Sequence, residues 1–317
     1  MKLSGNGRAI QRRLVQTVPV VVLATFVVFT LLKLVPGDIA VTLAGDNASE
    51  GRIAEIRAIY GLDRPFLVQY AQWLGNAVQG DLSRSLLSNE AVRDSIARAF
   101  PNTLLLVCMA LILAVLIGIP LGVIAASHRD GWLDRLFMAI ASIGVAVPNF
   151  WLGMLLVSAF AIRLNWFPAT GAVPPGQDLG AALSHAFLPA LALAAGGVAE
   201  VMRQLRASLV EVLSSQHVRT LHAKGLAPAA ILWRHGLKNV SVNLLTVIGL
   251  LFNRLLAATV VVEAVFAIPG MGGLVVNAAL NRDFPVVQGV VLVMVLVVVA
   301  VNLLVDILYS TFDPRVR

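Results

Sequence analysis

Six long apolar runs restrict this chain more than any other feature. They are Leu14–Val35, Thr103–Ala126, Leu136–Ile162, Phe187–Met202, Val242–Val262 and Val286–Tyr309. A hydrocarbon layer about 30 Å thick is crossed by about 20 apolar residues of helix. Lipid offers no water to unpaired backbone groups, and barrel strands would alternate in polarity, so these runs predict helices. The expectation is an all-α integral membrane protein with six transmembrane helices. The fourth run is the weakest of the six, being short and containing Pro189, Gly196 and Gly197. Composition agrees: 13% of residues are charged and 58% hydrophobic, against about 25% charged in soluble domains.

The net charge of +7 raises the question of nucleic acid. The basic residues flank apolar spans, however, and form no face interleaved with aromatics as single-strand binders require, so no nucleic-acid partner is expected. Membrane proteins concentrate Lys and Arg in cytoplasmic loops. Lys2, Arg8, Arg12 and Arg13 precede the first run, Arg129 and Arg135 lie between the second and third, and Arg315 and Arg317 close the chain. The loop 203–239 carries Arg203, Arg206, Arg219, Lys224, Arg234 and Lys238 against one acid, Glu211. With six spans all of these fall on one side, which predicts cytoplasmic termini. The other side holds Arg163 and Arg282 in its shorter loops, and a segment, 36–101, too long for the charge rule to weigh strongly. The first run exceeds the usual signal-peptide core of about 7–15 residues and reads as a retained helix. The organisation is thus an N-terminus and first helix over 1–35, an extracytoplasmic segment over 36–101, a five-helix core over 102–309, and a tail over 310–317.

Within 36–101, Ile53, Ile56 and Ile59 are spaced three apart and Gly61 suits a C-cap, predicting a helix over Glu50–Tyr60. Val68, Ala71, Leu74 and Val78 repeat the pattern over Phe66–Val78. Such helices suit the membrane surface or a lid facing an external partner. In the loop 203–239, Ser214 or Ser215 can cap a short helix that Gly225 ends. Val218 and Leu221 would share one face of it, with Ala223 and Leu226 nearby. That layout fits docking into a partner's groove, or packing flat on the chain's own membrane domain.

Arg254, beside Asn253, lies in the middle of the fifth run. An ionisable group at bilayer depth faces a cavity or a partner. Two readings stay open: Arg254 lines a translocation path and meets a cargo carboxylate, or it pairs with Glu263 or Glu200. Pro148 should kink the third helix, with Asn149 as a candidate gate residue. Asn302 and Asp306 suit pairing with each other or with a neighbouring helix. Lys33 can snorkel. The lone Cys108 sits in an apolar run, and His128, His185, His217, His222 and His235 lack ligand spacing, so no metal site is expected. No catalytic constellation stands out, and no Gly-x4-Gly-Lys-Ser/Thr phosphate loop occurs in the sequence.

Several strings stand in a characteristic order. They are Pro36-Gly37-Asp38, Gly61-Leu62-Asp63-Arg64-Pro65, Gln69-Tyr70-Ala71-Gln72-Trp73-Leu74, Gly80-Asp81-Leu82 with Ser85, Pro101-Asn102-Thr103, Val147-Pro148-Asn149-Phe150-Trp151 and Ala223-Lys224-Gly225-Leu226. Glu263-Ala264-Val265-Phe266, Pro269-Gly270-Met271-Gly272, Asn281–Gly289, Asn302–Asp306 and Asp313-Pro314-Arg315 follow. Together, from about Arg12 to Arg317, the chain resembles the first permease subunit of the dipeptide/oligopeptide/nickel class of bacterial ABC importers.

That resemblance implies the partners: a homologous second permease in a heterodimer, two cytoplasmic ATPase subunits, an extracytoplasmic substrate-binding protein and membrane lipid. It implies no cofactor on this chain, with ATP and Mg on the ATPases, and an inner-membrane location. It implies an ATPase-coupling loop of Gln216, His217, Val218, Arg219, Thr220, Leu221, Ala223, Lys224, Gly225 and Leu226. Gly225, Arg219 and Thr220 match the peptide-importer form of that loop; Leu221 departs from its alanine, and a proline expected near Asn243 is missing. The expected function is import of di- or oligopeptides with Arg254, Asn253 and Asn149 along the path. The alternatives are a nickel or other small-solute importer, or an ion-coupled secondary transporter.

Overall fold

The computed structural model describes residues 5–34, 39–44, 48–59 and 61–312. Lys2, Pro36-Gly37-Asp38, Tyr60 and Asp313–Arg317 lie outside them, as do the side chains of Arg8, Arg12 and Arg13. Among the described residues are thirteen α-helices and two π-helical segments, joined by turns and loops, with only an isolated bridge between Arg84 and Ala91 in place of a strand. In order they are α1 (Gly5–Leu34), α2 (Ile39–Ala44), α3 (Glu50–Ile59), α4 (Phe66–Val78), α5 (Val92–Ser127), α6 (Trp132–Ala146) and α7 (Asn149–Leu156), which runs on into a π segment, Val157–Arg163. Then come α8 (Leu179–Leu213), α9 (Gln216–Ala223), α10 (Pro228–Ala230) with the π segment Ile231–Gly236, α11 (Leu237–Val265), α12 (Met271–Leu280) and α13 (Phe284–Phe312).

Five stretches are long and apolar enough to cross a membrane: Val15–Leu34, Val92–Ser127, Leu179–Leu213, Pro228–Val265 and Phe284–Tyr309. The expected third span is not one kinked helix. It is α6 and α7, bent by 100° at Val147-Pro148, and it supplies a sixth span only if the pair counts as one. Val147 is extended (φ −78°, ψ 124°), the conformation a following proline imposes on its neighbour. The fourth run, the weakest in the sequence, lies within a continuous helix of 35 residues that accommodates Pro189.

The described residues pack as two units: those within 5–10, 101–269 and 300–312 form the first, and those within 11–100 and 270–299 the second. In the first unit α8 is the central element; Ala190, Ala192 and Ala194 are fully buried, and α6, α7 and α11 pack around it. Gly118 and Gly122 form a G-x-x-x-G on α5. A Cβ at these positions would stand 2.9 Å from Val201 Cβ and 2.9 Å from the Met202 carbonyl oxygen. In lipid, where burial of apolar surface gives little drive, such close backbone approach is what joins helices.

In the second unit α4 has the predicted limits, and α3 ends at Ile59, two residues before Gly61, whose φ is +63°. Phe26, Phe29, Phe66, Tyr70 and Trp73 form an aromatic cluster joining α1 to α4. The Tyr70 hydroxyl donates to the Val22 carbonyl at 2.9 Å and lies 3.0 Å from Thr25 Oγ1. Gln69 Nε2 donates to the carbonyls of Leu62 and Arg64, and Arg64 Nη1 to Gln72 Oε1, which fixes the turn between α3 and α4. Ser85 Oγ donates to the buried Asp283, whose other oxygen accepts the Leu86 N–H.

Candidate functional site

The loop between α8 and α11 is organised rather than slack. Ser215 Oγ accepts the Val218 N–H at 3.5 Å and opens α9. At its end Gly225 adopts φ +79°. The Gly225 N–H donates to the His222 carbonyl (2.9 Å) and the Leu226 N–H to the Leu221 carbonyl (3.2 Å). That pair of bonds is a Schellman cap, which a left-handed residue makes possible. Ser215 and Gly225 therefore take the positions predicted for them.

The apolar face of α9 is turned inward. Val218 is 1% exposed and packs within its own chain, and Leu221 and Leu226 are half-buried. The outward face consists of Gln216, His217, Arg219, Thr220, His222, Ala223 and Lys224, all exposed. What α9 offers outside is cationic and polar rather than an apolar knob. Burying one valine contributes about 1.5–3 kcal/mol, enough to seat an eight-residue helix too short to be stable alone.

Three further contacts anchor this loop. The His217 and His235 rings meet edge to face at 6.1 Å. Gly236 packs on Leu209 and Leu213 of α8, and Arg129 Nη1 lies 3.4 Å from Ser214 Oγ. Arg206, one of the six basic residues of the loop, does not join its open surface. It grips Asp134 through two bonds, Nε to Oδ1 at 2.5 Å and Nη2 to Oδ2 at 2.6 Å. Asp134 is buried and also accepts the Asp130 N–H. Sequence reading missed this pair; an acid in the first turn of the largely apolar α6 was its only signal.

Arg254, on α11, bonds Glu200 of α8 through Nη1 and Oε2 at 2.5 Å. Of the two candidate partners, Glu200 is the one it meets. Its side chain remains 65% exposed, against 22% for Glu200. A guanidinium has five donors, so the ion pair does not exhaust it. Asn253 Nδ2 donates to Asn302 Oδ1 of α13 at 3.2 Å, while Asn253 Oδ1 is buried without a partner among the described residues. Asn302 thus pairs with a neighbouring helix. Asn149 opens α7 after the break at Pro148 and is half-buried; no hydrogen bond joins it to Asn253 or Arg254.

Glu263, fully buried near the end of α11, accepts Thr103 Oγ1 at 2.5 Å. The neighbouring Asn102 Nδ2 donates to the Pro269 carbonyl at 2.9 Å. Between them the chain turns through Ala267 (φ +50°), and the Ile268 N–H returns to the Glu263 carbonyl. The strings Pro101-Asn102-Thr103 and Glu263–Pro269 therefore meet in one buried polar joint.

Apolar spans, a polar joint at their ends and an anchored basic loop closing on a capped helix are the architecture of a multi-span membrane protein. The chain belongs to the family of binding-protein-dependent transport system inner membrane components, whose description matches residues 118–317; its N-terminal counterpart matches residues 7–107. It is a permease subunit of an ABC importer of the inner membrane. It is 42% identical over 308 residues to a Brucella abortus (strain 2308) permease named for a peptide transport system, covering 97% of this chain and 98% of that one. It is 39% identical to the glutathione transport system permease protein GsiC of Escherichia coli (strain K12), over 96% of this chain and 97% of that one. Among solved structures, the inward-facing MetNI methionine ABC transporter matches with TM-score 0.58 and 19% identity, over 69% of this chain and 96% of that one; this likeness concerns the fold.

Proposed function

We propose that this permease forms half of a translocation path for di- or oligopeptides, in a heterodimer with a homologous second permease. A substrate-binding protein delivers the cargo outside, two ATPase subunits that carry ATP and Mg bind the cytoplasmic face, and the loop 203–239 of this chain docks into a groove on an ATPase. The single observation that carries this reading is α9: a short helix, capped at both ends and seated by Val218, that turns Arg219, Thr220 and Lys224 outward. A rigid cationic projection suits a soluble partner better than it suits lipid. In this arrangement the termini share the cytoplasmic side with α9, the segment 36–101 lies outside, and this chain hydrolyses no ATP itself.

Arg254 supports a peptide cargo. A guanidinium 65% exposed on a membrane-spanning helix is costly against hydrocarbon and calls for water or a polar surface beside it. Its remaining donors match a carboxylate, and relatives are named for peptide and glutathione transport. The test is purification followed by uptake. Detergent-extracted protein should bring ATPase subunits with it, and peptide uptake should persist when the ion gradient is collapsed while ATP remains. Uptake that follows the gradient and ignores ATP would establish a secondary transporter instead.

A further inference from the structure

The second unit contains a cavity of about 490 Å³, within the range of pockets that hold small molecules. Five carboxamide side chains line it: Gln69, Gln72 and Asn76 from α4, Asn89 from the loop before α5, and Gln288 from α13. Spacings of three and four residues put the first three on one face of their helix. The wall is held in place. The Asp81 carboxylate accepts the Ser83 N–H, the Ser85 N–H donates to the Glu90 carbonyl, and Arg84 Nη1 donates to the Asn89 carbonyl.

These carboxamides are only partly spent. Gln69 uses its donors on the Leu62 and Arg64 carbonyls and keeps its acceptor, while Gln72 accepts from Arg64 and keeps its donors. The side chains of Asn76, Asn89 and Gln288 have no hydrogen-bond partner among the described residues. Asn76 and Asn89 are exposed; Gln288 is half-buried, with neither polar atom sealed from solvent. The wall selects for no charge: Lys33 has a partner of its own, and Arg84 and Asp81 are one charge of each sign. Its accessible apolar part is aliphatic, being Leu62, Leu86 and Pro285, all half-buried.

We propose that this cavity binds a short peptide through its uncharged main chain, with peptide groups bonded to Asn76 and Gln288 and an aliphatic side chain against Leu62, Leu86 and Pro285. A carboxamide presents donors and an acceptor in one plane, as a peptide group does, so the two close a pair of hydrogen bonds. Sugar hydroxyls also bond carboxamides, but a sugar brings no aliphatic side chain, and the rings it would stack on, Phe29, Trp73 and Phe284, are buried. The inference stands on the cavity alone and does not depend on peptides being the transported cargo.

The experiment is equilibrium binding of radiolabelled N-acetyl-alanyl-leucinamide, which is uncharged, to the full chain in nanodiscs, which leave both membrane faces open. Saturable binding is expected. The ester analogue, with oxygen in place of the N–H between the two residues, should compete about fivefold more weakly, the size of one hydrogen bond. Maltose should not compete. Asn76→Leu and Gln288→Met should each weaken binding about fivefold or more. Absence of saturable binding overturns the proposal, as does competition by the ester or by maltose equal to that of the peptide. Unchanged affinity in Asn76→Leu overturns it too; Asn76 is exposed and its side chain unbonded, so this variant keeps the fold and decides the matter even where Gln288→Met unfolds. The measurement involves neither ATPase nor uptake, so its failure leaves the transport reading standing.

Discussion

Replacing Gly225 by alanine isolates the cap of α9 from everything else in its loop. No atom lies within 4 Å of the position a Cβ would take there, so the substitution introduces no clash. What remains is backbone: φ +79° costs an L-residue about 1–2 kcal/mol. That penalty shifts the ratio of capped to uncapped helix by about 5–30-fold. α9 is eight residues long and has little stability of its own, so a penalty of the size that Val218 burial contributes changes its occupancy. Asparagine tolerates the left-handed region better than alanine and should lose about half as much. With the ATPases reconstituted, Gly225→Ala should lower uptake per ATP hydrolysed several-fold, and Gly225→Asn less. The thermal midpoint of the whole chain should stay put. Amide exchange at Leu226, whose N–H closes the cap, should accelerate in the same order. If the alanine variant retains wild-type exchange at Leu226, the cap is not what holds α9. If exchange accelerates but coupling does not change, the helix is held as described but is not the coupling element.

Arg254→Ala and Glu200→Gln should each lower uptake, because each leaves one member of the pair uncompensated at membrane depth; the exchanged pair Arg254→Glu with Glu200→Arg should recover the fold, seen as a restored thermal midpoint. If Arg254→Ala leaves uptake unchanged for every peptide tested, the residue does not line the path. Thr103→Val deprives the buried Glu263 of a donor and should cost about 1.5–3 kcal/mol, measured as a lowered unfolding midpoint in detergent. Glu90 is held below its ordinary value of about 4.5 by bonds from Arg98 and Ser95. A depressed carboxyl stabilises the fold above that value and loses the contribution as pH falls toward the folded one. Protease resistance of the loop 80–91 should therefore decline as pH falls below about 4.5, and Arg98→Gln should remove that decline.

Long helices and tight turns were legible because they follow from local rules. Apolar length located the spans, and three-residue spacing gave α4 its limits. Gly225 announced its left-handed turn because few other residues accept one. The helices outrun the apolar runs, since backbone bonding continues into water where hydropathy has already fallen. The break at Pro148 exceeds a kink because Val147, not only the proline, leaves helical geometry. Periodicity gave α9 an apolar face but could not say that Val218 buries it inward. Arg206 read as open loop charge because its partner Asp134 is 72 residues away and no local pattern joins them. For the same reason the cavity shared by Asn76 and Gln288 and the Ser85–Asp283 pair required three dimensions.

The Asp134–Arg206 clamp has a mechanical consequence. It rivets the beginning of α6 to α8, the same rod that leads into α9 less than three turns further on. A thrust entering at α9 cannot slide α8 alone: it drags the first half of the broken α6–α7 pair as well, and any flexure is deferred to the unriveted elbow at Val147-Pro148.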